Sequence, residues 1–217
     1  MSKIFVDEMR GNTSTTISIP SGQTLNVAGN LSSTSGSISG TPSFPDGAKV
    51  NTIKHTGGTT GLTIDSTGRI LTPARPMFEV GKNAGQAVAS GTITKMTWQT
   101  EAYDVGGNFA SDKFIAPIAG KYFMSVYLTW QTMVAGAGIG LIWYKNGSVF
   151  KHAHHQSTEV NITFGMHNAT VFNLAASDYI ELYAFQGSGS SRELGQGNNV
   201  GSGTNANSNY WTGHLIG

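Results

Sequence analysis

Phe114-Ile-Ala-Pro-Ile-Ala-Gly-Lys-Tyr-Phe-Met-Ser-Val-Tyr-Leu-Thr-Trp130 is the stretch on which the fold turns. Pro117 and Gly120 bracket a tight turn, and after it the pattern alternates. Tyr122, Met124, Val126 and Leu128 fall on one face, and Lys121, Phe123, Ser125, Tyr127 and Thr129 on the other. Period two with β-branched and aromatic residues predicts a strand, and Pro117 must lie outside its ladder because proline has no N–H to donate. Apolar residues on both faces predict burial on one side and partial cover on the other.

The same stretch carries a resemblance. Phe114, Ala116, Pro117, Gly120 and Tyr122 form a run, Phe-x-Ala-Pro-x-x-Gly-x-Tyr, that resembles the signature of the complement globular-head and tumour-necrosis-factor superfamily of trimeric β jelly rolls. Met124 stands where that motif has a later aromatic. Arg75-Pro-Met-Phe78 resembles the family's first strand. Leu174-Ala-Ala-Ser-Asp-Tyr-Ile-Glu-Leu182 resembles Leu-x-x-Gly-Asp-x-Val-x-Leu, with Asp178 in place and Ser177 replacing glycine. Trp211-Thr-Gly-His-Leu-Ile216, containing Gly213 and Leu215, resembles the closing strand. The four motifs occur in the expected order over roughly residues 75 to 217. The resemblance implies a jelly-roll sandwich, a homotrimer, and structural roles for these motif residues.

The totals agree with β structure. Only 12% of residues are charged and Gly contributes 29 of 217, a turn-rich composition poor in helix formers. A formal net charge of +1 with no basic stripe lacks the electrostatic term that drives nucleic-acid binding, so no nucleic-acid partner is expected. Without cysteine there are no disulfides and no thiolate metal sites. The start has no apolar h-region, and no run approaches the ~20 apolar residues of a membrane span. Synthesis in a host cytoplasm without membrane insertion is the expectation.

Before Pro76 the chain has a different character. All four Trp and all seven Tyr lie beyond that residue. Residues 1–11, with Ile4, Phe5 and Val6 in alternation, read as a frayed terminus or as a virion-anchoring peptide. The opening Ser-Lys-Ile-Phe-Val-Asp-Glu-Met-Arg-Gly-Asn resembles those of short structural proteins of marine tailed phages. Residues 12–72 are very short aliphatic alternations punctuated by glycine, such as Leu25-Asn-Val27 and Leu62-Thr-Ile64. Each offers two or three aliphatic side chains at about 2–3 kcal/mol when fully buried, against roughly 1–2 kcal/mol of ordering cost per residue. One chain cannot close that gap, whereas several wound together could. Disorder is the alternative; the regular aliphatic spacing favours a slender, intertwined trimeric β shaft. Residues 73–77, Pro-Ala-Arg-Pro-Met, read as a stiff hinge.

Residues 78–217 read as strands throughout. They are expected near 77–80, 92–98, 113–115, 121–131, 138–144, 148–154, 160–166, 169–174, 179–185 and 209–216, with Asn146-Gly147 as the clearest hairpin turn. Candidate sites are few. Tyr103 and Asn108 in one polar segment, and Arg192, Asn198, Asn199, Asn205 and Asn207 in a long polar stretch 187–208, suit recognition of a surface sugar or protein. His152 and His154 share a strand face and are weak metal candidates, without a carboxylate at partner spacing. Gly136-Ala-Gly-Ile-Gly140 leads into a strand, not the helix a nucleotide fingerprint requires. No nucleophile elbow or paired carboxylates stand out, so neither catalysis nor a cofactor is expected.

The combined expectation is a non-enzymatic phage virion fibre, on tail or capsid. Its N-terminus would dock on capsid, tail or adaptor proteins, and its trimeric head would attach to a host-surface glycan or protein. Alternatives are a structural or decoration fibre whose head only trimerises, a secreted-type jelly-roll ligand or lectin, and a glycan-cleaving tailspike.

Overall fold

A computed structural model describes residues 51–55, 57–156, 162–195 and 209–217. Ile4, Phe5 and Val6 of the anchoring segment, most of the shaft segment, and Asn198, Asn199, Asn205 and Asn207 lie outside the described residues. Every regular element among those described is a strand.

Two antiparallel sheets face each other. The first contains β4 (Met77–Gly81), β5 (Gln86–Val88), β7 (Thr100–Val105), β10 (Gly120–Met133), β13 (Ile162–Leu174), β15 (Arg192–Leu194) and β16 (Tyr210–Leu215). The second contains β6 (Thr94–Lys95), β8 (Phe109–Ala110), β9 (Lys113–Ile115), β11 (Gly138–Lys145), β12 (Ser148–Gln156) and β14 (Tyr179–Gln186). The 14-residue β10 organises the first sheet: β13 runs along one edge, and β16 then β15 share the other. Of the eight principal strands in chain order, the first sheet holds 1-8-3-6 (β4-β16-β10-β13) and the second 2-7-4-5 (β9-β14-β11-β12). That winding is a jelly roll.

The alternation read in β10 is what the sandwich uses. Tyr122, Met124, Val126, Leu128 and Trp130 are all fully buried between the sheets. They meet Ile139, Leu141 and Trp143 of β11 and Ile180, Leu182 and Ala184 of β14 in one core. Trp211 is its aromatic hub, with ring centroids 5.2 Å from Phe78, 5.1 Å from Phe109 and 5.5 Å from Trp143. All four indole N–H groups are buried without a hydrogen-bond acceptor. Trp143 packs near-perpendicular to Phe172 and Trp211 to Phe78, the edge-to-face arrangement that aromatic pairs prefer.

Several boundaries differ from the sequence reading. β13 runs unbroken where two strands were expected, because its polar centre alternates as well: His167 reaches Ser125 on the outer face, and Asn168 donates inward to the Leu141 carbonyl. The strand expected over 92–98 shrinks to Thr94–Lys95. Beyond it the Thr97 and Trp98 N–H groups donate to the side chains of Gln86 and Asp112 instead of to a ladder. The polar stretch after Gly187 begins with a strand, β15, whose Leu194 is fully buried. Lys82 is also buried, its amine donating to the Thr97 carbonyl at 2.6 Å and to Gln86. Burial lowers that amine to about 8, opposed by the Asp112 carboxylate.

Ahead of the sandwich, β1 (Thr52–Lys54), β2 (Thr60–Ile64) and β3 (Ile70–Leu71) form a small antiparallel sheet within the chain. It leaves Ile53, Ile70 and Leu71 exposed.

Two motif positions make opposite stability predictions. A side chain at Gly213 would start 2.7 Å from Phe78 and 3.1 Å from Met124, so Gly213→Ala should destabilise by about 1–3 kcal/mol through overpacking. Ser177 holds φ at 71°, a conformation that glycine adopts without steric penalty, so Ser177→Gly should stabilise by up to about 1 kcal/mol. Shifts of the denaturant midpoint in these two directions are the expected result.

Candidate functional site

The outward face of the first sheet is built by the other half of the β10 alternation. Across the ladder, Phe123 meets His214 and Val171, Ser125 meets Thr212 and Ala169, and Tyr127 meets Tyr210 and His167. The rings pair, Phe123 with His214 at 5.6 Å and Tyr127 with Tyr210 at 6.3 Å. Gly165 leaves room for the Tyr127 ring, since a side chain there would start 1.9 Å from the phenol oxygen. Ser125 hydrogen-bonds His167 at 2.8 Å. Desolvation, then the nearby Arg75 guanidinium, lowers the His214 pKa. Rings, small residues and few charges in the middle of a sheet face form the composition of an interface centre. Val171, at 43% exposure, closes this face beside the free edge of β13.

The outward face of the second sheet is a different surface. Register places Phe185, Gly140 and His154 in one row across β14, β11 and β12, and Tyr183, Ile142 and His152 in the next. Gly140 has no side chain between its flanking rings. The result is an open trough of about 270 Å³ lined by Ile93, Gly140, Ile142, Val149, His152, Ala153, His154 and Phe185. Beside it Tyr144 and Tyr183 pack at 4.0 Å, and Lys95 pairs with Glu181 at 2.8 Å. Burial, then the Glu181 carboxylate, pushes the Tyr183 phenol pKa up.

The polar residues singled out in the sequence do not converge. Tyr103 lies on β7, at one edge of the first sheet, with its hydroxyl 3.3 Å from that of Thr212. Arg192 lies on β15, four strands away along the sheet, or roughly 19 Å at ~4.8 Å per strand. Its guanidinium is turned onto the Ser188 hydroxyl. The Asn108 side chain is spent closing its own turn onto the Val105 carbonyl, and its N–H donates to Asp104. His152 and His154 do share a face, but among the described residues no group of three His, Cys, Asp or Glu is placed to hold a metal.

The motif residues occupy structural positions. Phe114 stacks on Phe78 at 4.9 Å, and the Tyr122 hydroxyl donates to the Ile118 carbonyl across the Pro117 turn. Leu215 packs over Gly120. Asp178 ties the turn before β14 to the β11–β12 hairpin, accepting from Asn146 at 2.7 Å and from the Ala175 N–H at 2.8 Å, with the Lys145 amine 2.7 Å away. Of the trough residues, Gly140 stands out in the sequence only as the end of a glycine run leading into a strand, and Phe185 and Ile142 not as site residues at all. Their only signal is the parity that puts them opposite His152 and His154 once register is known.

No family model and no curated protein matches the chain. Similar solved structures include the globular domain of zebrafish complement 1qA protein, at 13% identity over 65% of this chain and 97% of that one, with a TM-score of 0.47. Murine APRIL at pH 5.0 and at pH 8.0 is similar at 11% identity over 65% of this chain and 99% of the other, again with a TM-score of 0.47. The jelly-roll assignment stands on the strand order alone.

Asp178 yields a pH prediction. The Lys145 amine first, then Asn146 and the Ala175 N–H, lower its carboxyl from 3.8 to about 2. A carboxyl depressed in the folded state stabilises above its unfolded value and loses that contribution as pH falls through the folded one. Asp65, held down to about 2 mainly by Arg69 and Thr67, titrates in the same window, but equally in both proteins compared. Asp178→Asn should therefore be less stable than the parent at pH 7, with the gap closing between pH 4 and 2 in thermal melts.

Proposed function

We propose that this chain is a homotrimeric virion fibre protein whose head attaches to a host-surface glycan or protein without chemical turnover. The carrying observation is the outward face of the first sheet. Phe123, Tyr127 and Tyr210 are only partly buried, small residues lie between them, and Val171 is open to solvent beside them. At the neighbouring flank, β12 and β13 are long edge strands, with Phe150 exposed there beside Phe172 of β13. A face and a flank that differ make a head-to-tail contact, and a head-to-tail contact that closes gives a ring. Three copies, each setting its β12–β13 flank against the next copy's aromatic face, would cover both surfaces. This is also what the resemblance to the complement and tumour-necrosis-factor superfamily implies.

The described part of the shaft segment supports the same assembly through its side chains. Strands β1 to β3 pair with one another within one chain, so copies there would meet through the exposed Ile53, Ile70 and Leu71. Residues 1–11, including Ile4, Phe5 and Val6, would dock on capsid, tail or adaptor proteins, the role suggested by the phage-like opening. Weak individual sites on a trimer gain by avidity, so each head site can be modest. One observation favours a second reading, a decoration fibre whose head only registers the shaft: Asn108 and Arg192 spend their side chains on internal bonds.

Sedimentation of the full chain, and of a truncated chain beginning at Arg75, tests the assembly. A trimer mass for both is expected, with the full chain more elongated. Val171→Asp, at a position too exposed to matter to the monomer core, should shift the equilibrium to monomer. It places an unpaired carboxylate in each contact, costing roughly 1–3 kcal/mol or more apiece. A compact monomer from the parent full chain at micromolar concentration would overturn the proposal.

A further inference from the structure

We infer that the glycine-floored trough on the second sheet is a subsite for one neutral sugar ring, so that host-glycan recognition lies on this sheet face and not on the polar loops. The inference rests on the reading of the head as an attachment module and names the site and the ligand class.

Three features select the ligand. First, the trough carries no charge: none of its lining residues is Lys, Arg, Asp or Glu, and the adjacent Lys95–Glu181 pair is self-neutralised. A phosphate or carboxylate would be desolvated there without a fixed counter-charge, which is costly. Second, its polar groups are uncommitted. His55 accepts from the Gly57 N–H, His155 stacks on Phe164, His167 bonds Ser125 and His214 packs on Phe123. Only His152 and His154 have ring nitrogens with neither a hydrogen-bond partner nor a ring contact among the described residues, and both line the trough. A purely aliphatic occupant would bury those nitrogens unsatisfied, at a real cost. A sugar ring offers an apolar C–H face to Phe185, Ile142 and Ile93 and hydroxyls to the two imidazoles.

Third, the dimensions suit a single ring. Phe185 and His154, on the two strands flanking β11, stand two strand spacings apart, about 10 Å, with the side-chain-free Gly140 between them. A volume of about 270 Å³ lies below the ~300–1,000 Å³ of clefts that enclose drug-sized ligands. The trough also opens on the side of the sandwich opposite the face proposed for trimer packing. It would recur three times per assembly, where weak single-ring affinity is multiplied by avidity.

Saturation-transfer NMR on the full chain tests this with methyl glycosides of glucose, galactose and mannose, with N-acetylglucosamine, and with methyl glucuronide as the acidic comparator. At least one neutral sugar should receive saturation, mainly at the C–H protons of one ring face. Phe185→Ala and the His152→Ala/His154→Ala double variant should each weaken it at least about tenfold. The histidines are exposed, so the double variant should keep the parent's sedimentation mass and thermal midpoint. Transfer to none of the neutral sugars, preference for the glucuronide, or binding unchanged in the double variant would each overturn the inference. The two readings fail separately: sugar binding in the trough of a monomer removes the fibre and keeps the subsite, whereas a trimer whose trough binds no sugar does the reverse.

Discussion

Strand β10 has two apolar-rich faces, and that single fact constrains the rest of the molecule. A strand buried on one side needs only one sheet opposite it. One that carries Phe123 and Tyr127 on its other side, beside Tyr210 and His214 of β16, asks for a second cover that the described residues do not supply. The inner half of the alternation creates the sandwich through Tyr122 to Trp130. The outer half creates the argument for association, because burying aromatic area contributes about 25 cal/mol per Å² and little charge must be stripped of water to do it.

How much of this was legible in the sequence depends on the range of the interaction. Period two, turn residues and the four motifs are local signals, and they give most of the long strands, the Asn146-Gly147 hairpin and the sandwich class. What could not be read was which face meets which neighbour. The strand β7 looks polar in sequence because its ladder partner β4 holds it, and β15 because a single buried residue, Leu194, and its pairing with β5 suffice to hold it. The unbroken course of β13 was hidden for a related reason: Asn168 looks like a turn residue until its amide is seen to satisfy the Leu141 carbonyl inside the sandwich.

The candidate site shows the same limit more sharply. Polar, glycine-rich segments drew attention as recognition loops, yet Asn108 and Arg192 serve their own local structure. The trough depends instead on register across three strands, which places glycine between Phe185 and His154. No single-strand pattern encodes that row. His152 and His154 were visible as a pair on one face; that they are the histidines left uncommitted required the partners of the other four.

On the proposed reading, the two sides of the sandwich divide labour, one for copies of the chain and one for the host surface. Hydroxyl-radical footprinting of the parent chain beside the Val171→Asp variant tests that division most directly. The account predicts that Tyr127 and Tyr210 are protected in the parent and become reactive in the variant, while Tyr183 and Phe185 label equally in both. Equal labelling of Tyr127 and Tyr210 in the two proteins would contradict it, because the aromatic face would then be open to solvent from the start.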